Sequence, residues 1–491
     1  MAVEAPGSDP SLSWGLFPCW TLLSPALSQP IYLGANHLPY QDFRQFLDVL
    51  RQHGELVDVN RPVALNDVGK AMKQSYVRQG PAIMFTQNGT DYPLVAGVYS
   101  TRSKALLAFE ADEDTIFDKV LTGLDNPIPP TAFAGKAPCH DEVITGEDID
   151  LRRWPVPTYS PQDGGAYITP GIVVSKDPET GTPDIGHYRF LILGKDTVSF
   201  SAQPFHRFGK HLAKHKRLGS VPKAALVIGV DPILAYTCQV QVPDDTNDWN
   251  VAGGLRGAPV ELAQCVTADL EVPATSEVVI EFEVDLNQTV LEGPLGEYTG
   301  YYTRPSQKPV ARITAITHRR KPIFQGLLTG KPVTENHILK QVPFEASFFR
   351  ALKRQFPTIT QVSVRASAGV SFYVVIAMQP RYAGEARQVI LAAMASNIRP
   401  KWTVIVDPDI DVHSSTEVEW AMAFRVQPQR DVIVIENTPA GPSDPSVDLS
   451  RDRTMRISSC IGIDATRPFG EKFYDVADVP GWQDFDMPEL D

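Results

Sequence analysis

The sequence predicts a multidomain α/β protein in which a strand-rich middle part lies between two units of mixed helices and strands. Two patterns favour this class. Short β-branched runs separated by turns fill Ile168 to Asn287, which is typical of a barrel or a sandwich. After Thr334, strand-like runs alternate with helical ones, which is typical of an open α/β sheet. At 491 residues the chain is long enough for two or three domains of ordinary size.

The N-terminal part carries a smaller α/β pattern. An amphipathic helix from Tyr40 to His53 is predicted by four apolar residues at helical spacing, Phe43, Phe46, Leu47 and Leu50. A strand-like run at 55–60 and a helix from Asp67 to Arg78 follow, and the Pro-rich stretch Asn126 to Thr131 marks a boundary. Residues 1–37 are rich in Pro and Ser, so we expect a disordered or loosely docked extension. The predicted domains are therefore 38–130, 131–330 and 331–491.

Two finer expectations concern single elements. The run Glu277 to Leu286 alternates acidic and apolar residues, so one face of this strand should be core and the acidic face should meet water. In the last unit, helices are predicted at 343–356, 384–396 and 416–424, between strand-like runs at 363–367, 371–378, 402–407 and 431–436.

Composition excludes several classes of partner and compartment. The formal net charge of -13 argues against broad binding to nucleic acid or to an anionic membrane. No apolar run reaches the length of roughly 20 residues that a bilayer span requires. Five cysteines without a C-x-x-C pair suit reduced thiols, so we expect a cytoplasmic protein. The common P-loop, dinucleotide, zinc-protease and serine-hydrolase motifs are absent from the sequence.

The first candidate for chemistry is the stretch Leu291 to Tyr302. It places Glu292 and Glu297 around a Gly-Pro and a second glycine, where a turn could bring both carboxylates to one pocket. The alternative is a polar turn with two solvated glutamates. Arg189 enters an otherwise apolar strand, with His187 and Leu191 on the same face, and needs a carboxylate, a phosphate or water. Glu292 or Glu297 would serve, and an edge-strand arginine in solvent is the alternative.

A second candidate is a set of oxygen ligands with one imidazole. Asp184, His206 and Asp248 together would suit Mn²⁺ or Mg²⁺ better than zinc. His206 also opens the basic run that ends at Arg217, and the alternative for most of those charges is a solvated helix face.

Several longer segments together form a family pattern. The chain resembles the UbiD-type decarboxylases, which use prenylated FMN, over about Tyr40 to Asp464. The segments that carry the resemblance are DGGAYITPGIVV (163–174), DIGHYR (184–189), AGGLRGAPVEL (252–262), VPATSEVVIEFEV (272–284), LEGPLGEYTGYY (291–302), VDPDIDV (406–412), SDPS (443–446) and GIDATRP (462–468).

The resemblance implies a fold and an activity. The fold would be a split β-barrel that binds the flavin, flanked by α/β domains, in a homodimer or a higher homo-oligomer. The activity would be reversible, non-oxidative decarboxylation of an aromatic or α,β-unsaturated acid, with a flavin prenyltransferase as the supplier of the cofactor. The family's catalytic Glu-Arg-Glu set falls on Arg189, Glu292 and Glu297. The flavin site it implies comprises Asp184, Ile185, His187, Tyr188, Arg189, His206 and Asp248.

The metal site departs from the family pattern. The family presents an asparagine, a histidine and a glutamate, and these positions become Asp184, His206 and Asp248 here. The extra carboxylate adds negative charge beside the flavin phosphate, and the shorter aspartate reduces reach. A local shift to Asp244 or Asp245 is the alternative. A family K⁺ site would use backbone carbonyls near residues 237–240, namely those of Thr237, Cys238 and Val240.

Lys340 falls where relatives vary with substrate, so we expect it to contact a polar or anionic ring substituent, with a surface helix lysine as the alternative. Two other functions stay open. One is a flavin-dependent oxidoreductase, because fold does not fix function. The other is a non-catalytic oligomeric relative that has lost the cofactor.

Overall fold

The computed structural model describes residues 39–441, 443–477, 479–481 and 485. The extension expected at 1–37 lies outside these residues, as does Cys19. The other four cysteines form no disulfide.

The N-terminal elements build a small mixed layer. They are α1 (Phe43–Gln52), β1 (Leu56–Val59), α2 (Leu65–Val77), β2 (Ala82–Phe85), β3 (Leu94–Ala96), α3 (Arg102–Phe109) and α4 (Ile116–Asp125). The first helix begins where the Asp42 side chain accepts a hydrogen bond from the Gln45 amide at 2.9 Å. All four of its predicted apolar residues are buried, which confirms the amphipathic helix.

The middle of the chain forms a nine-stranded antiparallel sheet that curls into a half-barrel. The elements of this part are β4 (Thr131–Ala132), β5 (Glu142–Thr145), β6 (Tyr167–Ile168), β7 (Ile172–Lys176), β8 (Pro183–His187), β9 (Phe190–Ile192), β10 (Thr197–Phe200), α5 (Arg207–Leu218), β11 (Lys223–Ile228), α6 (Pro232–Thr237), α7 (Asp248–Arg256), β12 (Glu261–Gln264), β13 (Glu271–Pro273), β14 (Val278–Glu292), β15 (Ser306–His318) and β16 (Phe324–Gly326). The sheet runs in the order β6-β9-β10-β15-β14-β11-β7-β8, with β5 beside β15.

The expectation that the acidic residues between Glu277 and Leu286 face water is wrong for the first half of this run. Glu277 and Glu281 are 0% exposed instead of facing water. Both faces are covered there, because Val278 and Ile280 on the opposite face are also buried. Glu277 pairs with Arg44 at 2.7 Å, and Glu281 accepts the backbone N–H of Val266 at 2.7 Å. These partners make burial of the two carboxylates tolerable.

The C-terminal elements form a five-stranded mixed sheet in the order β17-β18-β19-β21-β20. They are α8 (Glu335–Lys353), β17 (Ile359–Val364), β18 (Tyr373–Met378), α9 (Glu385–Ala395), β19 (Trp402–Val406), α10 (Ser415–Arg425), α11 (Pro428–Asp431), β20 (Val432–Pro439) and β21 (Ile457–Ala465). The predicted start of the first helix at Pro343 is wrong, because Pro343 lies inside α8. A capping box between Thr334 and His337 starts the helix two turns earlier.

The N-terminal sheet takes its last strand from a later part of the chain. The strand β16 pairs with β3 in the N-terminal sheet, although it follows the half-barrel in sequence. The helix α8 begins nine residues later. No helix among the described residues is both long and apolar enough to cross a membrane.

Candidate active site

The turn after β14 carries both candidate glutamates. Glu292 ends the strand, and Gly293 adopts φ +102°, a conformation that favours glycine. The turn is fastened to the segment around residue 163, since the Gly164 amide donates to the Pro294 carbonyl at 2.9 Å and the Gly296 amide donates to Asp163 at 3.0 Å. A side chain at 164 would lie only 2.9 Å from the Gly293 carbonyl oxygen, so the two segments need glycine at this contact.

Arg189 lies in the break between β8 and β9, so it is not part of a continuous strand as the alternation suggested. Its Nε donates to Glu292 Oε1 at 3.2 Å, and its Nη1 donates to Glu297 Oε1. The structure therefore brings the three predicted residues together. Among the described residues Nη2 of Arg189 makes no hydrogen bond, which leaves this nitrogen able to bind a further anion.

The two glutamates differ in their surroundings. The Glu292 side chain is 0% exposed, whereas that of Glu297 is 20% exposed. Glu292 Oε1 also accepts the Tyr167 hydroxyl at 3.4 Å, and Oε2 is buried without a hydrogen-bond partner among the described residues. Burial alone would lower the pKa of Arg189, but the charges of Glu297 and Glu292 outweigh burial and raise it. Arg189 is therefore a permanent cation between an enclosed carboxylate and an accessible one.

A cavity of about 740 Å³ opens at this cluster. That volume lies in the range of sites for small molecules and cofactors. Arg189 and Glu297 lie in its wall. The other lining residues include Thr169, His187, Tyr188, Ser201, Gln203, His206, Gln239, Leu295, Tyr298, His337, Lys340, Phe344 and Ser371.

The predicted metal ligands form a second cluster around a different arginine. Arg207 opens α5, and its Nε lies 2.7 Å from Asp184 Oδ1. Its Nη2 pairs with Asp248 Oδ2, which also accepts the Ile185 amide at 2.9 Å. Burial raises the pKa of Asp184, the charge of Arg207 opposes that rise, and Asp248 adds to it. Asp184 Oδ2 is buried without a hydrogen-bond partner among the described residues.

These residues fit a cation in charge and in donor type. Two carboxylates converge on one point, and an unpartnered carboxylate oxygen remains beside it. A guanidinium occupies that point, and His206 does not complete a three-ligand group in the described part of the chain. The assignment of Asp184, His206 and Asp248 to a metal therefore stays a prediction. The alternative ligand Asp244 pairs with Lys210 at the surface.

His206, His187 and Tyr188 line the cavity. The His206 ring packs edge-on against Tyr188, with 6.1 Å between centroids. His187 Nδ1 lies 3.0 Å from Gln239 Nε2, and burial lowers the pKa of His187 to about 4. His187 is therefore neutral at pH 7. Ile185 is buried and contributes its amide to Asp248.

Lys340 lies in the cavity wall instead of on an outer helix surface. Its Nζ is 4.8 Å from the Phe344 ring centroid and 5.4 Å from that of Tyr298, with Ser371 Oγ at 3.5 Å. Burial lowers the pKa of Lys340 to about 8. No carboxylate among the described residues pairs with this ammonium group, so it can bind an anion or an oxygen acceptor.

Sequence reasoning named neither Arg399 nor Arg456, although both lie in the cavity wall. They come from the C-terminal unit, far in sequence from Glu292 and Glu297, and carry no local pattern. The start of α8 after Thr334 could have been found, because a capping residue followed three positions later by a hydrogen-bonding side chain marks a helix start.

Three successive parts of the chain match the domains of one family of known proteins. The N-terminal domain of 3-octaprenyl-4-hydroxybenzoate carboxy-lyase (UbiD) matches residues 47–124. Its Rift-related domain matches 132–332, and its C-terminal domain matches 337–465.

Solved structures of this class share the fold. The UbiD-class enzyme HmfF from Pelotomaculum thermopropionicum, in complex with FMN, is 30% identical, with a TM-score of 0.84 over 91% of this chain and 99% of that one. An evolved dimeric form of HmfF with prFMN is 29% identical, with a TM-score of 0.82 over 91% and 99%. Vanillic acid decarboxylase from Sedimentibacter hydroxybenzoicus, in open form, is 28% identical, with a TM-score of 0.82 over 91% and 97%. All three parts of the carboxy-lyase match in order, and this chain belongs to the UbiD family.

Proposed function

We propose that this protein catalyses the reversible, non-oxidative decarboxylation of an aromatic or α,β-unsaturated carboxylic acid with prenylated FMN. The observation that carries the proposal is the placement of Arg189 between Glu292 and Glu297 in the wall of a cavity of about 740 Å³. A hydride-transfer enzyme has no evident use for an arginine held between two acids. A decarboxylase needs both an anion-binding group and a proton donor.

The three residues divide the work between orientation and proton transfer. Nη2 of Arg189 binds the substrate carboxylate, while Glu292 fixes the plane of the guanidinium. When the carbon–carbon bond breaks, CO2 leaves and the electron pair stays on the substrate carbon. Glu297 gives a proton to that carbon and regains one from water. In the carboxylation direction the same carboxylate removes the proton.

The cofactor supplies the electron sink that this carbon requires, and the protein supplies orientation. Residues 184–189 and His206 would hold the flavin along the cavity wall. Asp184, His206 and Asp248 would hold Mn²⁺ or Mg²⁺, and the carbonyls of Thr237, Cys238 and Val240 would hold K⁺. The prenylated flavin would come from a flavin prenyltransferase. We expect a cytoplasmic homodimer or higher homo-oligomer.

The position of Lys340 favours a substrate whose ring carries a further polar group. A buried ammonium without a counter-ion is costly, so a substrate oxygen that pairs with it gains affinity. We therefore propose an aromatic acid with a phenolic hydroxyl or a second carboxylate. The similarity to a vanillic acid decarboxylase supports the phenolic choice.

The test is to produce the protein together with a flavin prenyltransferase, with Mn²⁺ and K⁺ supplied. The absorption and mass spectra of the purified protein should show the prenylated flavin, and a panel of aromatic acids should release CO2. Bound flavin with nicotinamide oxidation but no CO2 release would favour an oxidoreductase. Colourless, inert protein would favour a non-catalytic relative.

A further inference from the structure

The first turn of α8 contacts the turn formed by residues 297–301, which we call the Glu297 turn. His337 Nε2 lies 2.6 Å from the backbone carbonyl oxygen of Tyr298, the residue that follows Glu297. His337 is only 1% exposed, so water does not compete for this hydrogen bond.

The direction of this hydrogen bond follows from its neighbours. The Thr334 backbone N–H can only donate, and it lies 3.0 Å from His337 Nδ1. Nδ1 is therefore the acceptor nitrogen. Burial lowers the pKa of His337 to about 4, so the ring is neutral at pH 7 and its one proton is on Nε2. His337 thus donates to Tyr298.

The Glu297 turn is compact, so holding one carbonyl holds the whole turn. The Gly300 amide donates to the Glu297 carbonyl at 2.8 Å, and the Glu297 amide donates to the Tyr301 carbonyl at 2.9 Å. A displacement of Tyr298 would therefore displace the Glu297 carboxylate from Arg189.

The start of α8 is itself fixed by the N-terminal unit. Glu335 is 0% exposed and accepts the Tyr76 hydroxyl at 2.7 Å and the Tyr99 amide at 3.2 Å. One turn further along α8, Lys340 faces the ring of Tyr298. The helix is thus a rigid support with two contacts to the residue next to the proton donor.

We propose that His337 is a positioning residue that sets the location of Glu297 through the carbonyl of Tyr298. The proposal rests on the proposed function, in which Glu297 transfers the proton. His337 acts on the rate of that transfer and not on flavin binding.

The test compares His337→Phe, which keeps a flat ring without a donor, with His337→Gln, whose amide can still donate. Hydrogen–deuterium exchange of peptides that cover residues 294–304 should be at least about fivefold faster in His337→Phe than in wild type and close to wild type in His337→Gln. Decarboxylation by His337→Phe should show a kcat about 10- to 100-fold lower with KM changed less than about threefold, because a small misplacement of a catalytic group costs that much. His337→Gln should recover most of the rate.

His318→Phe is the matched control. His318 is also buried and lies 2.8 Å from a backbone carbonyl, that of Arg319, but it does not line the cavity. This variant should lower thermal stability without altering exchange at 294–304 or kcat. Unchanged exchange in His337→Phe, or a loss of rate that His337→Gln does not recover, would overturn the positioning role. If wild type decarboxylates no acid, the proposed function fails, and the exchange measurement alone then decides whether His337 holds the turn.

Discussion

Two clusters of this protein have the same ionic composition and different surroundings. Arg189 bridges two glutamates, and Arg207 bridges two aspartates. In each cluster a buried carboxylate oxygen lacks a hydrogen-bond partner among the described residues. Arg189 lines the large cavity and Arg207 does not. We therefore propose proton chemistry only for the Arg189 cluster, where one of the two acids reaches the cavity.

The carboxylates of the two clusters also differ in what their negative charge can do. At Arg189 the accessible acid lines the cavity, and the enclosed acid keeps the guanidinium in place. At Arg207 both acids are enclosed, so their surplus charge favours a cation. The cluster around Arg207 thus suits binding, and the cluster around Arg189 suits catalysis.

The largest expected effect is that of Arg189→Met. Removal of the guanidinium leaves Glu292 buried without its cation, which should lower the free energy of unfolding by about 3–5 kcal/mol. It also removes the group that we propose binds the substrate carboxylate, so kcat/KM should fall by at least about a thousandfold. Chemical denaturation and the rate of CO2 release measure the two effects.

Arg44→Met is the matched control for that variant, because Arg44 pairs with the equally buried Glu277 outside the cavity. Glu277 retains Arg319 at 3.3 Å, so the loss of stability should be smaller. Its kcat/KM should stay within about twofold of wild type, since none of the hydrogen-bond partners of Arg44 among the described residues lines the cavity. Equal loss of activity in both variants would mean that Arg189 acts only through stability.

The second expected effect is a gain of metal affinity in Arg207→Gln. Removing the guanidinium frees both aspartates for a divalent ion, so Mn²⁺ affinity should rise by at least about tenfold, or about 1.4 kcal/mol. The electron paramagnetic resonance signal of free Mn²⁺ during titration measures it. Lys210→Gln, which removes a surface pair with Asp244, should leave the affinity unchanged. An unchanged affinity in Arg207→Gln would remove Asp184 and Asp248 from the metal site.

The smallest expected effect is a pH dependence of substrate binding at Lys340. Burial lowers the pKa of Lys340 to about 8, so its positive charge is present below that pH and is lost as the pH rises through it. KM for a hydroxylated aromatic acid should therefore rise several-fold between about pH 7 and pH 9. KM for the unsubstituted acid should stay constant, as should that of Lys340→Met for both acids. A rise that persists in Lys340→Met would assign the titration to another group.

Much of this arrangement could be predicted from the sequence, because local patterns specify it. The α1 helix follows from its apolar spacing, and the need of Arg189 for a carboxylate follows from the cost of burying a charge. The family pattern then identifies which glutamates answer that need.

The remainder depends on tertiary contacts. The alternation of acidic and apolar residues predicted that Glu281 faces water. The residue is buried, because its strand is covered on both faces, and no local pattern reveals that. Pro343 looked like a helix start because proline suits that position, but it lies within α8. The pairing of Arg207 with Asp248 joins residues 41 positions apart, and spacing alone cannot show it.

The most direct test of the role proposed for Glu297 is a burst experiment with Glu297→Gln loaded with prenylated flavin. A substrate with a ¹³C-labelled carboxyl group is supplied in large excess over bound flavin, and ¹³CO2 and the free decarboxylated product are measured together. With Glu297 in the proposed role of proton donor, we expect at most about one ¹³CO2 per bound flavin and no free product, whereas wild type should release both in equal amounts over many turnovers. Continued turnover in Glu297→Gln, with product released at a rate near that of wild type, would contradict the role of this cluster in catalysis.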